Sequence, residues 1–454
     1  MKKRGLAALA IGMSMMALGA CSSSGEQAET AAGEPAAVET TAAQAEAEET
    51  ETAQESGEKV EISFLHKWPE ESRAEFWKSV EADFEASHPN IDVQIEGIAD
   101  DPIKEKLNVM LGGGDCPDIF FSWGGEYKNK FIREGIALDL TEYYDADPEW
   151  RDSYIESLRK AGQFEGKQYG TPFLVTAKVF VYNKEIFEQC GVEVPQTYEE
   201  FLQVCQTIKD QGVTPIIFGN QAPWAAAHYI TTFNQKCVPA DVLEKDYNPA
   251  SGEFTDPGYV EALKMLQELN DNGYFNDGVN STSSSAAREM FWAGQGAIIY
   301  DEIANFQGMY EANMPGNWGW FACPPVDGAA GNQNTITGGA DMFLVSASTE
   351  HPEESVEFLK YLTSMEVQEK MCKELGFQSC IKGAVNEETS IPECVDAMEF
   401  IETTDGIADW LDTAMSANVV DVYLANLQEL LTGKSAEDVM ADVQAEAARV
   451  AGES

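Results

Sequence analysis

The chain has 454 residues, a formal net charge of −49 and 44% hydrophobic residues. This length exceeds what one ordinary hydrophobic core accommodates, so two or more domains are expected. The negative charge argues strongly against nucleic acid or any other polyanion as the natural partner, because like charges repel.

The first twenty residues have the composition of an export signal. Basic residues at 2–4 precede an apolar stretch at 6–18, which is too short to span a bilayer as a permanent helix. Leu-Gly-Ala-Cys, ending at Cys21, resembles the bacterial lipobox, in which the cysteine becomes the lipidated first residue of the mature protein. Residues 1–20 are therefore predicted to be a lipoprotein signal peptide, and the mature protein to be held at the outer face of the cell membrane.

Residues 21–58 are predicted to form a tether. After Cys21 the segment consists almost entirely of Ala, Glu, Thr, Gln, Ser and Gly, without an aromatic residue. Such a composition cannot bury enough apolar surface to offset the entropy lost on ordering. We expect a disordered acidic stalk between the lipid and a folded body that begins at residue 59.

The first part of this body alternates strand and helix patterns. The segments are a strand at 60–64, a helix with Phe76, Val80 and Phe84 on one face, a strand at 91–95, a helix at 103–111 and a strand at 119–121. This β-α-β-α-β order is typical of a parallel, doubly wound sheet. Strand patterns return at VFVYN, TPIIFGN, AIIY and MFLVS, with helical patterns between them and after residue 409. The body is thus an α/β chain with enough material for two lobes.

Cysteine and histidine give no metal-binding pattern. Eight cysteines follow Cys21 but are spread through the body, so whether they form disulfides is left open. No C-x-x-C occurs and the four histidines are scattered. We therefore predict no metal site and no cofactor.

Unusual residues collect where strands end. In open α/β sheets, ligands bind outside the carboxyl ends of the strands. The residues at these exits are Lys67 and Trp68 after the first strand, Trp123 and Gly124 after the third, Trp224 after TPIIFGN, and Asp301 and Glu302 after AIIY. One tryptophan at a strand end usually packs in the core, but three at equivalent positions indicate a shared site.

A sugar is the ligand that suits these side chains. Sugars have apolar C–H faces, on which flat aromatic rings stack, and a rim of hydroxyls, to which acids, amides and lysines hydrogen-bond. Glycine next to an aromatic residue lets a backbone or a ligand approach closely. The segment Trp123-Gly124-Gly125 meets both requirements.

Several longer stretches resemble the extracellular solute-binding lipoproteins of bacterial carbohydrate ABC transporters, the group that includes maltose-binding protein. The stretches are FEASHPNIDV, LGGGDCPDIFFSW, GKQYGTPFLVTAKVFVYNKEIFEQCGV, PQTYEEFL, FWAGQGAIIYDE, ITGGADMFLVSAST and FLKYLTSMEVQEKM. The resemblance implies a two-lobed, type II periplasmic-binding-protein-like fold, in which each lobe is a mainly parallel sheet flanked by helices. Lobe 1 would comprise 59–173 and 340–385, and lobe 2 would comprise 176–337 and 394–454. Hinge crossovers are expected near 173–176, 337–340 and 385–393.

The resemblance also implies a sugar-binding role without catalysis. The partners would be a carbohydrate held between the lobes and the membrane permease of an ABC importer, and the protein itself would be a monomer. Together with the strand-exit residues, the predicted ligand contacts are Lys67, Trp68, Trp123, Gly124, Thr176, Lys178, Trp224, Asp301, Glu302, Gly339, Asp341 and Trp410.

Two alternatives remain open at this point. The same fold could hold a peptide or another solute instead of a sugar. A secreted glycoside hydrolase would need paired carboxylates, and carboxylates are too abundant here for a pair to be picked out. The importer's ATPase would be a separate chain, since Gly112-Gly113-Gly114 lacks the Gly-Lys-Ser/Thr that completes a P-loop.

Overall fold

The computed structural model describes residues 59–113, 116–312, 314 and 316–453. The predicted signal peptide, Cys21 and the tether lie outside the described residues. Within the described ranges, no helix combines the length and apolarity needed to cross a membrane.

The strands of the described chain follow in sequence order. They are β1 (Val60–His66), β2 (Ile91–Gly97), β3 (Ile119–Ser122), β4 (Gln163–Phe164), β5 (Lys167–Gln168), β6 (Thr171–Asn183), β7 (Thr214–Ile217), β8 (Gly296–Glu302), β9 (Trp318–Phe321), β10 (Thr335–Val345), β11 (Gln378–Ser379) and β12 (Gly406–Ala408). The five segments predicted at the start of the body are confirmed, as are the later strands.

Helices cover both faces of the sheet. Those before residue 240 are α1 (Ala74–Ser87), α2 (Asp100–Gly113), α3 (Gly125–Arg133), α4 (Thr141–Ala146), α5 (Pro148–Ser153), α6 (Glu156–Ala161), α7 (Lys184–Cys190), α8 (Tyr198–Asp210) and α9 (Trp224–Cys237). Those after it are α10 (Ala240–Tyr247), α11 (Pro257–Asp271), α12 (Ser284–Trp292), α13 (Phe306–Glu311), α14 (Pro352–Leu362), α15 (Met365–Leu375), α16 (Pro392–Thr403), α17 (Leu411–Ala414), α18 (Ala417–Leu430) and α19 (Ala436–Glu453).

One mixed sheet runs through the body in the order β2-β1-β3-β10-β6-β8-β7. At its ends the pairing is parallel, β1 with β2 and β3, and β7 with β8. In the middle, β10 is antiparallel to β3 and β6, and β6 is antiparallel to β8. The expectation of mainly parallel sheets therefore holds for the outer strands only, because β6 and β10 run antiparallel to their neighbours and join the two halves. We call the half built on β1, β2 and β3 the first lobe and the half built on β7 and β8 the second lobe.

The strands β6 and β10 belong to both lobes. The first part of β6 pairs with β10, and from Lys178 onward β6 pairs with β8. Gly339 lies opposite Thr176, so two of the segments predicted as crossovers are hydrogen-bonded neighbours. A Cβ on Gly338 would lie 2.3 Å from the carbonyl oxygen of Thr176, which explains why glycine is needed there.

Two hydrophobic clusters form the core. One surrounds β1 and β3 and continues onto one face of the second lobe, while the other lies between the opposite face and helices α8, α9, α11, α18 and α19. Successive side chains of β6 point to opposite faces of the sheet. Val179 and Val181 therefore belong to the first cluster and Phe180 belongs to the second.

Phe343 on β10 allows a test of the first cluster. Its ring is fully buried and lies 4.7 Å from Phe64 and 5.4 Å from Phe173, centroid to centroid. Phe343→Ala should lower the free energy of unfolding by about 3–5 kcal/mol, because it removes apolar contacts and leaves a cavity. Urea denaturation measures this loss. Val109→Ala, at a side chain that is 73% exposed, is the control and should change stability by less than about 0.5 kcal/mol; equal effects at the two positions would contradict the assignment.

Candidate ligand-binding cleft

A cavity lies where the strand ends of the two lobes meet. It contains about 520 Å³ of empty space, counting the part that is open to solvent. Its lining residues are Lys67, Lys104, Trp123, Thr176, Trp224, His228, Glu302, Asp341, Trp410, Asp412 and Thr413.

Helix α9 carries one wall of the cavity. The buried Asn220 after β7 fixes the start of this helix, since its Oδ1 accepts from the backbone N–H of Ala226 at 3.0 Å and its Nδ2 donates to Asn280 Oδ1 at 2.7 Å. Trp224 and His228 are four positions apart, so both point from the same face of the helix into the cavity.

The segment that contains α17 forms the adjoining wall. The backbone N–H of Leu411 donates to Thr231 Oγ1 of α9 at 3.0 Å, and Leu411 is fully buried in the second cluster. The carbonyl of Trp410 accepts from the N–H groups of Thr413 and Ala414, both at 2.8 Å. This single turn directs Trp410, Asp412 and Thr413 towards the cavity.

His228 forms part of an aromatic array. Its ring centroid lies 5.1 Å from that of Trp224 and 4.2 Å from that of Trp410. Burial, reinforced by the positive charges of Lys178 and other nearby lysines, holds the pKa of His228 well below its usual value. The imidazole is therefore neutral at physiological pH, and one of its nitrogens is an acceptor.

On the opposite wall, Trp123 is bordered by two ammonium groups. Lys67 Nζ lies 5.1 Å and Lys104 Nζ 4.9 Å from the centroid of its ring. Phe121 and Tyr127 contact the ring edge-on, with centroids at 4.7 and 5.0 Å. These contacts hold the ring in place through packing and cation–π attraction.

Cations at and beside the cavity lie next to carboxylates. The pairs are Lys67 with Asp341 (2.8 Å), Lys104 with Asp412 (3.2 Å), Lys178 with Glu302 (3.5 Å) and Arg288 with Asp301 (3.5 Å). The four positive and four negative charges balance, although the whole chain carries −49. The cavity is polar but close to electrically neutral.

Three polar atoms on the cavity wall have no hydrogen-bonding partner within the described protein. They are Thr176 Oγ1, His228 Nδ1 and Asp412 Oδ1, and all three are buried. Buried polar atoms are normally paired, because an unpaired one loses its hydration without compensation. The three atoms border one cavity and are available to hydrogen-bond to a molecule bound there.

This architecture matches a known family. The family model described as bacterial extracellular solute-binding protein matches residues 67–369. The chain belongs to this family. Its members are solute-binding proteins.

Individual relatives and a solved structure agree with this assignment. The diacetylchitobiose binding protein DasA of Streptomyces coelicolor is 24% identical over 363 residues, covering 76% of this chain and 79% of DasA. The multiple sugar-binding protein of Streptococcus mutans is 22% identical over 364 residues, covering 78% of this chain and 83% of the relative. A solved chitin oligosaccharide binding protein superimposes with a TM-score of 0.78 at 22% identity, covering 87% of this chain and 100% of its own. The predicted two-lobed periplasmic-binding-protein-like fold is thereby confirmed.

The structure brings most of the predicted contacts to this cavity of the solute-binding protein. Those in its lining are Lys67, Trp123, Thr176, Trp224, Glu302, Asp341 and Trp410. Those outside the lining are Trp68, Gly124, Lys178, Asp301 and Gly339. The sequence reasoning missed Lys104, His228, Asp412 and Thr413. His228 could have been found from its four-residue spacing from Trp224.

Trp68 packs in the core instead of facing the cavity. Its side chain is 5% exposed and its ring lies 5.5–5.8 Å from Phe121, Phe173 and Phe377. Its backbone N–H donates to His66 Nδ1 at 3.1 Å. Consecutive residues leaving a strand point in opposite directions, so Lys67 enters the cavity while Trp68 turns inward.

Other parts of the protein occupy the space beside the two glycines that follow Trp123. A Cβ on Gly124 would lie 3.0 Å from Asp409 Oδ1, and one on Gly125 would lie 3.0 Å from the carbonyl oxygen of Thr413. Gly125 also has a φ of 64°, which disfavours other residues. Gly124 and Gly125 thus let the first lobe approach the α17 segment. Burial raises the pKa of Asp409 in this contact to about 6.

Among the described residues, no group of three or more His, Cys, Asp or Glu side chains could hold a metal ion. The free thiols include Cys190, Cys205, Cys237, Cys323, Cys372, Cys380 and Cys394.

His66, at the end of β1, gives the stability of the protein a measurable pH dependence. Burial, with a smaller effect of the Arg73 charge, lowers the pKa of His66 to about 3. In the unfolded chain a histidine takes up its proton below about pH 6.5. Between these values the unfolded state binds more protons, so the free energy of unfolding falls as the pH falls, by about 1.4 kcal/mol per pH unit at most.

The variant His66→Phe tests this contribution. Its ring can keep the stacking on Trp77, whose centroid is 4.1 Å away, but it cannot titrate. Urea unfolding at a series of pH values from 7.5 to 4.5 should therefore show a shallower loss of stability for the variant than for the wild type. Parallel curves for the two proteins would contradict the expectation.

Proposed function

We propose that the protein captures a sugar or oligosaccharide in the cleft and delivers it to the permease of an ABC importer, while a lipid on Cys21 anchors it to the cell membrane. The observation that carries the proposal is the combination of three tryptophans with three unpaired polar atoms around one cavity. Tryptophan rings suit the C–H faces of a sugar, and the polar atoms suit its hydroxyls. The names of DasA and of the streptococcal relative, both sugar-binding proteins, support the same ligand class.

The charge balance points to an uncharged sugar. Lys67 and Lys104 line the cavity, but each is next to its own carboxylate. A phosphate or uronate would have to compete with these carboxylates for the lysines, and an amine would meet the ammonium groups. A neutral polyol can hydrogen-bond to both members of a pair without disturbing it. The same argument disfavours a peptide, whose termini carry charges.

The geometry suits binding better than hydrolysis. A glycoside hydrolase generally needs one protonated carboxylic acid and one carboxylate on either side of the scissile bond. The carboxylates in the lining are Glu302, Asp341 and Asp412, and each lies within 3.5 Å of a lysine ammonium. None of them is placed as a free proton donor.

A thermal-shift panel tests the ligand class. Galactose, maltose, raffinose and diacetylchitobiose represent neutral sugars, and glucose 6-phosphate and galacturonate represent charged ones. At least one neutral sugar should raise the melting temperature, since a ligand at 100 times its Kd stabilises the folded state by about 2.7 kcal/mol. An unchanged melting temperature across a broad carbohydrate panel would contradict the proposal. A rise confined to charged sugars would contradict the assignment of a neutral sugar as the ligand.

Trp224 provides a test at the level of one side chain. It is half-buried and lines the cavity, so Trp224→Ala should leave the protein folded but weaken sugar binding about tenfold or more, because it removes an aromatic stacking surface. Calorimetric titration measures the affinity. The matched control is Trp320→Ala, which removes a half-buried tryptophan outside the lining and should bind normally. Equal affinities for the two variants would argue against stacking on Trp224.

The anchor is tested separately. Radiolabelled palmitate supplied to the expressing cells should label the wild-type protein, which should sediment with membranes. Cys21→Ser should be unlabelled and recovered in the soluble extracytoplasmic fraction, because the proposed acceptor sulfur is gone. Labelling of the variant would place the lipid elsewhere, and an unlabelled wild type would refute the anchor.

A further inference from the structure

Asp412 lies at the contact between the lobes. It is on α17, which packs on α9 and α18 of the second lobe and also on α3 of the first lobe. Lys104, its ion-pair partner, is on α2 of the first lobe. This ion pair therefore connects the two lobes across the edge of the cavity.

The two oxygens of this carboxylate have different surroundings. Oδ2 accepts a hydrogen bond from Lys104 Nζ at 3.2 Å. Oδ1 is buried and has no donor within the described protein, and His228 Nε2 is 3.9 Å away, beyond hydrogen-bonding distance. The Asp412 side chain is only 7% exposed, so solvent reaches little of it.

A buried carboxylate oxygen without a donor is costly. It loses hydration, and the single bond at Oδ2 does not replace it. Because Asp412 lines the cavity, a hydroxyl of the bound molecule can reach Oδ1 and supply the missing bond. Hydrogen bonds from a hydroxyl to an ionised carboxylate are among the stronger ones in proteins.

We propose that Asp412 Oδ1 accepts a hydrogen bond from a ligand hydroxyl while Oδ2 forms the ion pair with Lys104. Ligand recognition and the contact between the lobes then depend on the same carboxylate. The proposal rests on the proposed sugar-binding function. Ligand bound at Oδ1 fixes the rotamer of Asp412 and thereby favours the ion pair. The ion pair in turn holds Oδ1 towards the cavity, and such a coupling acts equally in both directions.

The position of Lys104 extends this coupling to the opposite wall. Its ammonium lies 4.9 Å from the centroid of the Trp123 ring, so it contacts an aromatic side of the cavity as well as Asp412. The Lys104 side chain is 31% exposed and is not part of either hydrophobic cluster, so a substitution there should leave the core intact. Lys104 is thus a positioning residue, whereas Asp412 touches the ligand.

The experiment measures sugar affinity by calorimetry in four full-length proteins, using the neutral sugar with the largest shift in the thermal panel. Asp412→Asn keeps the shape but loses the charge and should weaken binding about tenfold or more. Lys104→Met removes the ion pair and should weaken binding several-fold. In the double variant the loss should be smaller than the product of the two single losses, because both substitutions disable the same unit.

Lys106→Met is the matched control. Lys106 lies on the same helix but pairs with the exposed Glu96 away from the cavity, so this variant should bind like the wild type. Circular dichroism and melting temperature establish that each variant is folded.

The outcomes distinguish a failure of the proposed sugar-binding function from a failure of the proposed role of Asp412. If the wild type binds no sugar, the proposed function fails. If the wild type binds a sugar but Asp412→Asn binds it equally well, Asp412 does not hydrogen-bond to the ligand and the inference is overturned. If both single losses occur and multiply fully in the double variant, the coupling through the shared carboxylate is overturned.

Discussion

The antiparallel pairing of β6 with β10 joins the two halves of the sheet at the cleft. These strands are the continuous backbone between the lobes, and their register puts Thr176 opposite Gly339 and Leu174 opposite Asp341. A side chain at position 338 would collide with the carbonyl of Thr176, so close pairing requires glycine there. The cavity is lined by Thr176 and Asp341 from this pair, and the helices and loops of each lobe are placed around it.

Charge pairing is the second constraint on the site. The protein has 78 acidic and only 29 basic residues, yet basic side chains are gathered at the cleft and matched by carboxylates. Isolated buried charges would be expensive, whereas paired ones retain hydrogen-bonding capacity at lower cost. The net negative charge of the chain therefore does not describe the cleft, where each of these cations has a carboxylate beside it.

The order of strands and helices in the first lobe could be predicted from the sequence. Trp123, Trp224 and Glu302, which line the cavity, could also be predicted, because ligands of open α/β sheets bind at the edge where the parallel strands end. Local patterns in the sequence were less informative about the direction in which a side chain points. Trp68 follows a strand as Trp123 does, but its side chain turns into the core. Lys104 and Asp412 are 308 positions apart, and no local periodicity predicts that a helix of the first lobe meets a turn near the carboxyl end.

Gly124 and Gly125, which follow Trp123, lie against another part of the protein. The sequence suggested that they admit a ligand, but the space beside Gly124 and Gly125 is taken by Asp409 and Thr413 of the α17 segment. Glycine at these positions therefore serves the approach of the lobes. Since the α17 segment presents Trp410 and Asp412 to the cavity from the same turn, the close packing at the glycines also sets the distance between the Trp123 wall and these two side chains. A side chain at either position would press against this segment, on Asp409 at 124 and on the Thr413 carbonyl at 125.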